Sequence, residues 1–102
     1  MFEIWKFPLL IMDEQAIKIP ATARFLSLIE QYDFPTLYFL VEVDDSPQFR
    51  EISLSIRGTE QPLTKAFLDQ SHFLGTISTH QGELIWHIFS KCLLTKWERG
   101  DA

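Results

Sequence analysis

The sequence predicts an all-β protein: a small antiparallel β-sandwich or partly open barrel of about seven strands, with at most one or two short helices. Three observations point there. Ile52, Leu54 and Ile56 alternate with Ser53, Ser55 and Arg57, which is the period of a half-buried strand. Residues 36–43 are dense in aromatic and β-branched side chains, as a more deeply buried strand requires. The apolar runs are short and are stopped by Pro8, Pro20, Gly58 and Gly82.

Residues 2–8 read as a first strand ended by Pro8, and residues 15–20 as a second ended by Pro20. Proline cannot donate to a ladder, so both are expected to lie at edges or to stop there. Residues 24–32 are ambiguous by pattern: Phe25, Leu26, Leu28, Ile29 and Tyr32 share a helical face, with Thr22 as an N-cap, yet alternation also fits. In residues 36–43, Leu37, Phe39, Val41 and Val43 share one face, and the turn at 44–47 suggests a hairpin with residues 52–58. Residues 62–70 suit a short helix with Pro62 near its start. Residues 73–79 and 83–89 flank a turn at Gln81 and Gly82 and form a hairpin.

The 102 residues fit one domain, read as a β-rich unit over 1–90 and a C-terminal extension over 91–102 that suits a short helix with a frayed end. One cysteine, Cys92, cannot form an internal disulfide, which suits a reducing compartment. The N-terminus lacks the basic region and apolar run of a signal peptide, and no run approaches the ~20 residues that span a bilayer. A cytoplasmic protein without membrane contact is expected. The net charge of −5, with scattered Lys and Arg, argues against direct nucleic-acid binding.

All three histidines lie between His72 and His87. With a two-residue turn Thr76 stands opposite His87, His72 lies roughly 13 Å along the neighbouring strand and His80 roughly 23 Å from His87. With a three-residue loop Gly75 stands opposite His87 and His72 is on the other face. A zinc holds its nitrogen ligands at about 2 Å, so the three cannot converge and no metal is expected. His87 is read as a partly buried imidazole with hydrogen-bonded ring nitrogens, and His80 as a solvated loop residue. Asp13 and Glu14 are adjacent acids that point to opposite faces of a strand, poorly placed as an acid/base pair. The sequence carries no phosphate loop, nucleophile elbow or helical zinc motif. No catalytic residue and no cofactor are therefore assigned.

Four segments in order, "IWKFPL", "DEQAIKIP", "GTEQPL" and "FLGTISTHQGELIWHIF", resemble a family of small uncharacterised proteins from phages, prophages and bacteria, over residues 2–89. The resemblance implies a mostly β domain of phage type and no known activity. It also implies a strand at 24–32, against the helical alternative. Lys6, Gly58, Thr59 and His87 belong to the shared motifs. Gly58 is expected to supply a turn, Thr59 to bond its own backbone, and Lys6 to guard a sheet edge. Two departures stand out. Glu60 replaces the family's usual glycine after Gly-Thr, and the 65–70 segment and the tail are longer.

The function expected is that of a non-enzymatic, phage-type accessory protein binding a host or phage protein, an inhibitor of a host defence complex being one example. The alternative is a structural, self-assembling component, with a homodimer as one form. A third reading is a small hydrolase or nucleotide-binding enzyme using His87 with Asp13 or Glu14. Fourteen aromatics are more than so small a domain buries well, and exposed aromatics anchor interfaces. Leu93, Leu94 and Trp97 have helical spacing in the tail, with cations near its end and Gly100 as a stop. They are taken, with Trp5, as protein-contact residues.

Overall fold

A computed structural model describes residues 1–100. Among them seven strands run β1 (Phe2–Pro8), β2 (Glu14–Pro20), β3 (Arg24–Gln31), β4 (Phe34–Glu42), β5 (Phe49–Gly58), β6 (His72–Thr79) and β7 (Leu84–Ser90). A short helix, α1 (Lys65–Asp69), lies between β5 and β6. The strands form two antiparallel sheets, ordered β1-β4-β3 and β2-β5-β7-β6, and no closed barrel. The fold is thus the sandwich-like, all-β arrangement that the sequence predicts.

The two sheets share one core. Leu37, Phe39 and Val41 of β4 belong to the same buried cluster as Ile52, Leu54 and Ile56 of β5, with Ile19, Phe25 and Ile88. Phe7 and Phe25 meet Phe39 edge-on, with centroids 5.7 and 5.8 Å away. Alternation places the partners on facing surfaces, and burial of these side chains drives the sheets together. Val43, expected on the same face, is exposed where the strand ends.

The expected hairpin between β4 and β5 does not form. β4 lies between β1 and β3, whereas β5 lies between β2 and β7 in the other sheet. Both strands carry an apolar inner face, and stacking one sheet on the other buries both faces, whereas lateral pairing joins only backbone edges. The 44–48 segment therefore crosses between sheets instead of turning within one.

Residues 24–31 form a strand, as the resemblance implied. The helical appearance of the pattern comes from a bulge between Phe25 and Ser27, where Leu26 is the extra residue. The extra residue leaves Leu26 and Ser27 both outside and spaces the inward Phe25 and Leu28 three positions apart, which is a helical spacing. A second bulge, at Leu74, interrupts β6.

The helix expected over 91–102 is absent from the described part of that segment, and Asp101 and Ala102 lie outside the described residues. The chain is extended instead. The Phe25 N–H donates to the Thr95 carbonyl at 2.7 Å, and the Trp97 N–H donates to the Phe25 carbonyl at 3.1 Å. An isolated helix of this length is marginal in water, whereas a free strand edge offers main-chain bonds immediately. Leu94, only 4 % exposed, joins the core from this segment.

Candidate functional site

The outer face of the four-stranded sheet carries a polar row. Register sets Glu14 of β2 opposite Ser55, Arg57 of β5 opposite His87, and His87 of β7 opposite Thr76. Glu14 accepts from the Ser55 hydroxyl and from Arg57 Nη2, each at 2.7 Å. Partial burial pushes the Glu14 carboxyl up, but the bonds from Arg57 and Ser55 and the Arg57 charge outweigh it and hold the group below the usual carboxylate range. The guanidinium also lies 4.6 Å from the centroid of Phe67 on α1, which packs edge-on against Phe89.

His87 sits at the end of this row. Its Nε2 is 2.9 Å from Thr59 Oγ1 and its Nδ1 is 2.9 Å from Thr76 Oγ1. Both ring nitrogens are thus occupied by hydroxyls, and Arg57 stands between His87 and Glu14. A general base paired with a hydroxyl nucleophile is normally oriented by a carboxylate that stabilises the imidazolium. Here that place is taken by neutral Thr76. The arrangement ties the loop after β5 onto the β6–β7 hairpin, and Thr59 spends its hydroxyl on this tie instead of on its own backbone. Gly58 closes β5 without a left-handed conformation, and the left-handed residue of that turn is Glu60 (φ 70°).

The other histidines are elsewhere. His72 stands opposite Ser90, and His80 is in the β6–β7 turn with its N–H donating to Asp33 Oδ1 at 3.1 Å. Among the described residues no three His, Cys, Asp or Glu side chains gather where they could hold a metal.

An apolar surface lies on the outer face of the three-stranded sheet. Phe2 and Ile4 of β1, 63 % and 64 % exposed, stand beside Leu40 of β4 and the bulged Leu26 of β3. Trp97, 45 % exposed, closes this row from the tail. The five side chains line an open depression of about 360 Å3. It adjoins a second depression of about 510 Å3, bounded in part by Thr22, Arg24, Glu42 and Thr95.

The tail residues singled out in the sequence separate here. Successive residues of an extended segment point to opposite sides, so Leu94 is buried while Leu93 is 74 % exposed. Trp97 alone reaches the apolar surface. Trp5 is a half-buried side chain packed against the core at the crease beside Pro20 and Val41, and its indole N–H donates to Glu3 Oε1 at 2.8 Å. Phe2, Ile4, Leu26 and Leu40 were not foreseen. A signal existed in β1, where Phe2 and Ile4 alternate with Trp5 and Phe7, so that both faces of one strand are apolar.

Fold and surface together define a small two-sheet β domain with an exposed apolar face. The chain belongs to the family described as a domain of unknown function, DUF7352, whose model matches residues 1–95. That match takes in Leu94, the core residue contributed by the tail. No curated protein and no solved structure matches the chain significantly. Among the described residues no helix is long and apolar enough to cross a membrane.

Proposed function

We propose that this is a non-enzymatic accessory module that works by binding another protein, in a phage or host context and in the cytoplasm. The observation that carries the reading is the exposed apolar row of Phe2, Ile4, Leu26, Leu40 and Trp97. Large contiguous apolar patches are uncommon on soluble monomers and mark contact sites. An apolar centre adjoining a polar margin with Arg24 and Glu42 has the anatomy of a protein interface. The occupant proposed is a segment of another protein that presents a bulky apolar side chain to the depression. An inhibitor of a host defence complex is one member of this class.

The test is affinity capture from host lysate with wild-type and Trp97→Ala proteins side by side. Removing a central tryptophan anchor costs at least about 2 kcal/mol, so binding should weaken roughly 30-fold. The fold should be unaffected, because Trp97 lies outside the buried core. A captured protein held equally well by both forms would place the contact elsewhere and overturn the surface assignment.

A further inference from the structure

The backbone of β1 carries a second kind of contact. The Val43 N–H donates to the Met1 carbonyl and the Leu9 N–H donates to the Pro35 carbonyl, both at 2.8 Å and both in the register of the β1–β4 ladder. Antiparallel ladders alternate bonded and non-bonded pairs. Glu3, Trp5 and Phe7 therefore direct their main-chain groups at β4. Phe2, Ile4 and Lys6 direct theirs out of the sheet, along an edge that no strand among the described residues covers.

The other edges are better protected. On β2, the bonds from Ile56 N–H to Asp13 and from Ala21 N–H to Gln48 leave Glu14, Ala16, Lys18 and Pro20 facing outward. That edge carries two charges and a residue without an N–H, both of which discourage pairing. The tail bonds to β3 at Phe25, and β6 packs along β3. Among the described residues only β1 combines an open edge with exposed large apolar side chains on the same residues, Phe2 and Ile4.

We propose that β1 pairs with β1 of a second copy, antiparallel about a two-fold axis at Ile4. Ile4 then exchanges both main-chain bonds with Ile4 of the second copy, and Phe2 exchanges both with Lys6. Pro8, which lacks an N–H, stays outside the paired stretch. The strand is self-complementary in this register. The two Ile4 side chains meet, each Lys6 stem lies over a Phe2 ring, and Glu3 stands opposite Trp5. The two Lys6 charges remain roughly 13 Å apart along the strand. No like charges face each other, and a continuous sheet β3-β4-β1-β1-β4-β3 results. A closed two-fold pair leaves no β1 edge free for further growth. This inference goes beyond partner binding and does not depend on it.

Light scattering on the full chain should give twice the mass of one chain. Ile4→Pro deletes an N–H that makes no bond within the molecule, so it should leave the fold intact and halve the mass. Ile4→Lys keeps the backbone but sets like charges together on the axis, and should also halve the mass. It decides the matter if the proline variant does not fold. Trp97→Ala should stay dimeric while losing the captured partner, which separates this inference from the proposed function. Amide exchange in the dimer should protect the Ile4 N–H as well as the Trp5 N–H. A wild-type monomer at high concentration, a folded Ile4→Lys protein of unchanged mass, or a dimer with an unprotected Ile4 N–H would each overturn the proposal.

Discussion

Glu60 is one of five non-glycine residues with positive φ among those described, with Tyr32, Asp33, His80 and Gln81. At φ 70° it lies in the left-handed region, where a side chain costs about 1–2 kcal/mol and glycine costs little. Glu60→Gly should therefore stabilise by up to about 1 kcal/mol, part of the gain being offset by the freer unfolded chain, and raise Tm by a few degrees. Thermal melting checks this. Glu14 supplies a pH dependence. Its carboxyl is held below the ordinary value of 4.5, so its contribution is present above that value and is lost as pH falls through the lower folded value. The side chain is 49 % exposed, so the contribution is under about 1 kcal/mol. Melting curves across the acid range should show Glu14→Gln slightly less stable near neutrality and less sensitive to acid than wild type. Gly75 is limited by space: a Cβ there would lie 3.1 Å from Leu28 Cδ2.

At the scale of elements, the tail functions as part of the fold. Leu94→Ala should destabilise by about 2–4 kcal/mol, as expected for a truncated buried leucine, whereas Leu93→Ala should change stability by less than about 0.5 kcal/mol. Urea unfolding of the two variants measures the contrast. Equal effects would show that the extended path of residues 91–97 is wrong. The α1 helix depends on its cap, since the Thr64 hydroxyl accepts from the Phe67 N–H at 3.0 Å and none of its residues is buried. Its attachment is Phe67, packed on Phe89 and Arg57. The β6–β7 turn shows why local sequence chose its geometry: Gln81 and Gly82 have φ 58° and 90°, the pair of positive angles that a tight hairpin needs.

For the whole molecule, the decisive feature is that the chain passes between sheets from β1 to β2, from β2 to β3 and from β4 to β5. Neither sheet owns a separate core, because Phe39 and Leu54 belong to one cluster. Unfolding should be a single cooperative event. Trp5 reports from the three-stranded sheet and Trp86 from the four-stranded sheet. Variants in which Trp97 and one of these two are replaced should give coincident urea curves, and distinct midpoints would mean that the sheets melt separately. Pairings this distant in sequence also favour slow folding, on a timescale of milliseconds to seconds.

Alternation in β5, apolar density in β4, the Gln81-Gly82 turn and the Pro8 and Pro20 stops were enough to predict a β fold of about seven strands, because period and turn chemistry are local properties of the chain. The same locality misled at three places. The bulge at Leu26 makes a strand resemble a helix, and only the ladder with β4 reveals it. The spacing of Leu93, Leu94 and Trp97 fits a helix, but the free edge at Phe25 offers bonds that an isolated segment cannot have. Nothing local distinguishes lateral pairing of β4 and β5 from stacking, since the same alternation of apolar residues suits a strand in either position. The candidate surface was equally hidden. Trp97, Phe2, Ile4, Leu26 and Leu40 come from opposite ends and the middle of the chain, and only the packing of β1, β3, β4 and the tail brings them side by side.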